Sequence, residues 1–234
     1  MSVLARRAAA EFVGTAFLVM AVVGSGVMAS RLSPDDAGLQ LLQNSLATGA
    51  ALVALIVALQ PVSASFNPVV TLVERALGVI DTRIAAGLIA GQFLGGLAGA
   101  VAANLMFGLD AVTFSTHERA GAGLWLGEGI ATAGLVLIIF GTVRSGRTDR
   151  VAFAVGGYIT AAYWFTSSTS FANPAVTVAR TITDTFAGIA PSAAPGFIFA
   201  QLAGGAAGFV LVRVLYPTLV TSAAAAAADR KVLS

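Results

Sequence analysis

The chain has 234 residues, 57% hydrophobic and only 10% charged, with a formal net charge of +2. Soluble domains carry about a quarter charged residues, so a water-soluble fold is close to excluded, and so slight a positive surplus supports no nucleic-acid surface. With one histidine, His117, and no cysteine, zinc-type sites, thiol catalysis and disulfides have no raw material; no metal and no cofactor is expected.

Taken in order, residues Met1 to Arg7 are too short, and the run after them too long, for an obvious cleaved signal peptide. Charge-free stretches then run Phe12–Ser30, Ala37–Val73, Ile84–Leu109, Gly129–Val143, Val151–Ala179 and Thr185–Val212. A helix needs about 20 apolar residues to cross the hydrocarbon core. Four stretches fit one helix each, while the second and fifth are too long and carry the excess around an Asn-Pro dipeptide. The pattern predicts spanning helices near 8–29, 40–60, 83–107, 121–143, 151–169 and 195–216, with short half-helices near 67–77 and 173–183.

With both termini inside, ten basic residues (Arg6, Arg7, Arg75, Arg83, Arg144, Arg147, Arg150, Arg213, Arg230, Lys231) face the cytoplasm and three (Arg31, Arg119, Arg180) face out. That bias follows the positive-inside rule and fixes the orientation in a cell membrane. Asp35, Asp36, Asp110, His117 and Glu118 fall in outer loops, where solvation explains them. The Ala-rich tail from Thr218 to Ser234 reads as a frayed cytoplasmic end.

Three motifs each occur twice, in one order. Glu11-Phe-Val-Gly-Thr15 returns as Glu128-Gly-Ile-Ala-Thr132, Asn67-Pro68-Val69 as Asn173-Pro174-Ala175, and Gln92-Phe-Leu-Gly-Gly as Gln201-Leu-Ala-Gly-Gly. Repeats of three spans each, about 8–109 and 121–217, must insert in opposite orientations. Such pairs place a functional site near the midplane, at broken helices. Asn is a favoured N-cap and Pro a favoured first helical residue. In an inverted pair both helix starts meet mid-membrane, each presenting about half a positive charge. Cations are repelled there, while the asparagine amides can donate to the oxygen of a neutral solute.

The twin Asn-Pro motifs, two Glu-x-x-x-Thr helices and six spans resemble the aquaporin (major intrinsic protein) family over nearly the whole chain, with one departure, Val69, at the third motif position. The resemblance implies an all-α membrane fold: a right-handed bundle of six helices and two re-entrant half-helices in an inverted 3+3 arrangement, one channel domain over 1–234, assembled as a homotetramer. It also implies a selectivity filter at Ala47, Ala161, Ser170 and Val176, where most members carry an arginine last and aromatics or a histidine earlier. A filter of two methyls, a hydroxymethyl and an isopropyl group is expected to be wide and uncharged, with Arg180 lying on the next turns. An arginine-less filter resembles the bacterial branch associated with arsenic resistance, implying passage of arsenous acid, methylated arsenicals and glycerol-like solutes, with or without water.

Glu11 and Glu128 are intramembrane carboxylates. They suit either a proton relay or, as is usual in this family, anchors for re-entrant loops. The first role belongs to a rival reading, a secondary transporter; a water and glycerol facilitator without arsenical transport is the other. A polytopic enzyme would need a Ser-His pair, paired Asp or a metal cluster, and no catalytic residue is expected. Gly87, Gly91, Gly95 and Gly99 form a smooth stripe for close helix packing.

Overall fold

The computed structural model describes residues 1–217; the tail from Thr218, with Arg230 and Lys231, lies outside the described residues. Eight α-helices occur among the described residues, in the order α1 (Val3–Leu32), α2 (Ala37–Leu59), α3 (Pro68–Ala76), α4 (Thr82–Met106), α5 (Ala122–Arg144), α6 (Val151–Phe165), α7 (Pro174–Ala179) and α8 (Ala194–Leu215). No strand occurs among the described residues. Five of the helices are long and apolar enough to cross a membrane.

The sixth span, α6, is shorter than its sequence predicts. It ends at Phe165 rather than near 169, after 15 residues, or about 22 Å against a hydrocarbon thickness of about 30 Å. Thr166 turns extended (φ −109°, ψ 139°) while its hydroxyl takes the Ala162 carbonyl at 2.7 Å. The remaining depth is crossed by irregular backbone, which needs hydrogen-bond partners other than its own.

Local chemistry sets the helix starts. Asp36 and Asp81 accept from Leu39 N and Ile84 N at 2.8 Å each, and Asn67 and Asn173 from Val69 N at 2.9 Å and Ala175 N at 3.0 Å, satisfying amides that no helix turn can reach.

Packing follows the repeats: α1 lies along α4 and α5 along α8, while α2 and α6 join the halves. A Cβ on Gly95 or Gly99 would run into the carbonyls of Phe12 or Ala16, and one on Gly204 into that of Gly129. Where α2 crosses α6, a Cβ on Gly49 would stand 2.9 Å from the Gly156 carbonyl and one on Gly156 2.7 Å from that of Gly49. Backbones this close exchange dispersion contacts that lipid cannot supply. Large apolar side chains such as Phe153, Phe199 and Val214 face outward, as a lipid-embedded surface requires.

Candidate pore

Two re-entrant segments, 60–77 and 166–182, enter the bundle from opposite ends. Glu11 on α1 is fully buried and accepts from Ser63 Oγ at 2.6 Å, Ser65 N at 2.9 Å, Phe66 N at 2.7 Å and Gln92 Nε2 at 2.8 Å. Glu128 on α5, also fully buried, accepts from Ser168 Oγ at 2.6 Å, Phe171 N and Ala172 N at 2.8 Å and Gln201 Nε2 at 2.6 Å. Neither borders the central cavity. Each carboxylate thereby satisfies backbone amides that sit at a depth without water.

The residue before each asparagine sits in the left-handed region, Phe66 at φ 47° and Ala172 at φ 49°. That conformation is costly for non-glycine residues, and the hydrogen bonds to Glu11 and Glu128 hold it. Its effect is to aim the two carbonyls across the repeat boundary. Asn67 Nδ2 donates to the Ala172 carbonyl and Asn173 Nδ2 to the Phe66 carbonyl, both at 2.7 Å. The starts of α3 and α7 therefore abut, and each amide has committed one of its two N–H groups to the opposite repeat. The other remains for a solute, half of what the sequence suggests.

A cavity of about 250 Å³ runs past both asparagines, from Thr48, Tyr163 and Arg180 to Arg7, Gln60 and Glu74. One wall is made by residues at four-residue spacing, Thr48, Leu52 and Ile56 from α2 with Gln60 at its C-cap, and Val151, Val155, Ile159 and Tyr163 from α6, apolar in the middle and polar toward its ends. Residues on one helical face recur in this way.

Of the four expected filter residues, Ser170 and Val176 border the cavity, and the other two do not. Ala161 is exposed on the outer surface of α6, two positions from Tyr163 and so on nearly the opposite face. Ala47 is only half-buried and lies one position off the stripe that carries Thr48. Counting back from an asparagine crosses an irregular segment whose length shifts the register. The four-residue stripes, visible in the sequence, would have found Thr48 and Tyr163. These two hydroxyls lie 3.2 Å apart. The Ser170 hydroxyl is buried and has no partner among the described residues.

A charged side chain also stands at this end of the cavity. Arg180 is 3% exposed and borders the cavity. Its Nε donates to the Ala187 carbonyl, and its guanidinium carbon stands 3.3 Å from the centroid of the Phe171 ring. Arg119 reaches the same ring at 5.3 Å and donates to the carbonyls of Gly188 at 2.9 Å and Phe186 at 3.3 Å. Three successive carbonyls of segment 183–193 are thus held by two guanidiniums.

The 107–121 loop lies over this segment. Thr113 N and Ser115 N donate to the carbonyls of Ile182 and Thr181 at 3.1 and 2.9 Å, and Ala190 N to that of His117 at 2.8 Å. Asp184 accepts from Thr116 N at 2.9 Å, with His117 Nε2 at 3.9 Å. Those contacts, the Thr116 amide first, hold the Asp184 carboxyl below its usual range. Of the charged groups expected to be merely solvated, His117 thus lies beside an acid, Asp184, that ties the two loops together.

A spanning all-α bundle, broken by two capped half-helices whose starts border a cavity inside it, defines a multi-pass membrane channel. The chain belongs to the major intrinsic protein family: a family model described as Major intrinsic protein matches residues 1–151. It is 49% identical over 213 residues to "Aquaglyceroporin AqpS" of Rhizobium meliloti (strain 1021), covering 91% of each chain. It also superposes on "X-ray structure of the aquaglyceroporin from Plasmodium falciparum" with a TM-score of 0.66 at 18% identity, covering 93% of this chain and 97% of that one; that likeness concerns the fold. Proteins of this family are channels, not enzymes.

Proposed function

We propose that the protein conducts small neutral hydroxylated solutes passively across the cell membrane, with glycerol-like polyols the foremost class. The supporting observation is the cavity that passes Asn67 and Asn173 with two unlike walls. One wall is the aliphatic stripe of α2, α5 and α6; the other is the irregular backbone from Val62 to Phe66 and around Ser170, with the two amides between. A polyol is amphipathic in the same sense, with C–H groups on one edge and hydroxyls on the other. It exchanges water for backbone and amide partners one hydroxyl at a time, so no step strips it bare. The relative named an aquaglyceroporin supports the same class. Arsenous acid, neutral and bearing three hydroxyls, presents equivalent chemistry; water fits as well.

In this reading 1–234 is one pore-forming unit of two inverted repeats. The face bearing loops 107–121 and 183–193 is extracellular, both termini are cytoplasmic as the arginine distribution favours, and four copies assemble, each with its own pore. The motif set is Asn67, Pro68, Val69 with Asn173, Pro174, Ala175. The outer narrowing lies where Thr48, Tyr163, Ser170 and Val176 face one another. Glu11 and Glu128 anchor the segments: off the cavity and with four donors each, they offer no site to a coupling ion, which weighs against a transporter.

Stopped-flow permeation of water, glycerol and arsenous acid in the same proteoliposomes tests the reading. Glycerol flux is expected to stay proportional to its gradient and indifferent to sodium or proton gradients. Flux that saturates and follows an ion gradient overturns it.

A further inference from the structure

Away from the pore, on the outer surface, α3 and α8 do not close on each other. An apolar groove of about 230 Å³ lies between them, walled by Val69, Leu72 and Ala76 of α3 and by Leu202, Ala206 and Phe209 of α8. Leu72, Ala76, Leu202 and Ala206 are exposed, so the groove opens toward lipid. At the equivalent crossing of the other repeat the helices touch: a Cβ on Gly96 would stand 3.2 Å from the Ala175 carbonyl and 3.2 Å from the Ala179 methyl. Gly205 is the counterpart of Gly96 in the Gln-x-x-Gly-Gly repeat. The three atoms nearest a Cβ there, out to 3.9 Å, all belong to the Val69 side chain and none to backbone. Val69 stands where the second motif has Ala175, and its isopropyl group holds α3 a side chain's width off α8.

Two arginines stand beyond one end of the groove. From the contact of Val69 with Gly205, α3 and α8 both run toward the end of the bundle opposite the 107–121 loop, and Arg75 and Arg213 follow about 9 and 12 Å further along the helix rise. Both are exposed. Arg75 Nε donates to Thr82 Oγ1 at 2.8 Å, which leaves its terminal amino groups for another acceptor. The Arg213 guanidinium carbon lies 5.8 Å from the centroid of the Phe209 ring, itself part of the groove wall. Neither arginine is in an ion pair among the described residues, and Asp81, the acid next to Thr82, is committed to Ile84 N.

We propose that this groove seats an acyl chain of an anionic phospholipid from the leaflet at that end, with the phosphate on Arg75 and Arg213. The apolar walls accept a hydrocarbon chain but cannot choose among lipids; the two guanidiniums supply the choice. Arginine stems lie along apolar surface while their heads reach the interface, and the guanidinium fork matches phosphate oxygens. Basic pockets between membrane helices hold anionic headgroups in this way. A second copy of the chain packed into the groove would offer these two charges no such partner. The proposal needs only insertion in a membrane and holds whichever solute the pore conducts.

Purified protein in detergent is titrated with phosphatidylglycerol or with phosphatidylcholine bearing the same acyl chains, and bound lipid is counted per protomer by native mass spectrometry. Phosphatidylglycerol is expected to bind about tenfold more tightly than phosphatidylcholine. Arg75→Gln combined with Arg213→Gln should bring that ratio near one. Ala206→Phe, which fills the groove from its open side, should weaken both lipids; should it fail to fold, Ala206→Leu fills less of the groove and should weaken both to a smaller degree. Inorganic phosphate should not displace the bound lipid, because it has no acyl chain to bury. Equal affinities in the wild-type protein, a preference that survives loss of both arginines, or displacement by inorganic phosphate overturns the proposal. So does an Ala206→Phe protein that keeps its lipid but loses its oligomer, which would make the groove a contact between copies.

Discussion

Segments 60–77 and 166–182 do the same mechanical work with different surroundings. Each is bound to a buried glutamate through a serine hydroxyl, two backbone amides and a glutamine. Each places a left-handed residue just before its asparagine, the second segment adding two more at Thr169 and Ser170, and sends an asparagine amide to the other. Beyond this frame they diverge. Where one ends in Glu74 the other ends in Arg180. The first joins α4 through the short stretch 77–81, while the second passes through 183–193 under a second loop. Inside, every donor must find a partner or cost about 1–3 kcal/mol, which leaves no room for variation. Facing cavity or solvent, side chains are free to differ, and that is where the two ends of the pore acquire unlike properties.

The sharpest way to break the equivalence is at the glutamates. Glu11→Ala and Glu128→Ala each strand four donors deep in the bundle. Each should destabilise by roughly 3 kcal/mol or more, read as lost thermal stability and loss of assembled protein in detergent. If one variant is tolerated and the other is not, the two frames are not mechanically equivalent. Close packing gives the next effect, through a reversal of sign. In an exposed helix Gly→Ala stabilises by about 0.5–1 kcal/mol, and Gly157→Ala should do so, since nothing lies within 4 Å of the added methyl. At Gly95 and Gly204 the methyl meets the carbonyl of Phe12 or Gly129. There the same change should destabilise by about 1–3 kcal/mol, and by similar amounts in the two repeats.

Val70 and Val176 stand three residues past their asparagines and both border the cavity, which turns the comparison toward conduction. Val176→Arg adds a bulky, permanently charged group where Arg180 already stands. Glycerol flux should fall about tenfold, with water flux falling less, and any charge repulsion should displace Arg180. Val70→Arg brings its charge to the end that holds Glu74, where an ion pair can form; the loss should be smaller. Equal losses in stopped-flow would show that width alone, rather than charge, distinguishes the two ends.

Much of this frame is legible in the sequence because it repeats. The Glu, Asn-Pro and Gln-x-x-Gly-Gly elements recur in order, and burial forces each to keep its partner. The half-helix starts were readable because N-capping is local chemistry. The cavity wall was less so. The resemblance carries Ala47 and Ala161 over by their distance from Asn67 and Asn173, which spans irregular backbone, and such a distance does not survive a change in loop length. The helical stripe through Val151, Val155, Ile159 and Tyr163 is the more dependable signal, since it depends only on residues per turn. Arg180 was out of reach for another reason: its direction is set by the Ala187 carbonyl and the Phe171 ring, contacts between segments that no local pattern encodes.

The smallest expected effect tests the loop pair over one end, which the other repeat lacks. Asp184 accepts from the backbone and hydroxyl of Thr116, with His117 nearby, and its carboxyl is held below the usual range. A depressed carboxyl pKa favours the folded arrangement while the group is ionised. Its contribution is therefore fully present above the unperturbed value of about 3.9 and disappears as pH falls through the lower folded value. The side chain is 32% exposed, so solvent screens it and the effect on global stability should be near the limit of detection. Hydrogen exchange at the Thr116 amide is the better measurement. Protection should hold from neutral pH down to about 5 and weaken in stronger acid, beyond the intrinsic change in exchange rate. Asp184→Asn, which keeps an acceptor oxygen but no charge, should remove the acid-dependent part and leave most of the protection. Undiminished protection well below the unperturbed pKa would mean that the loop is held by Thr113, Ser115 and the Arg119 guanidinium without help from Asp184.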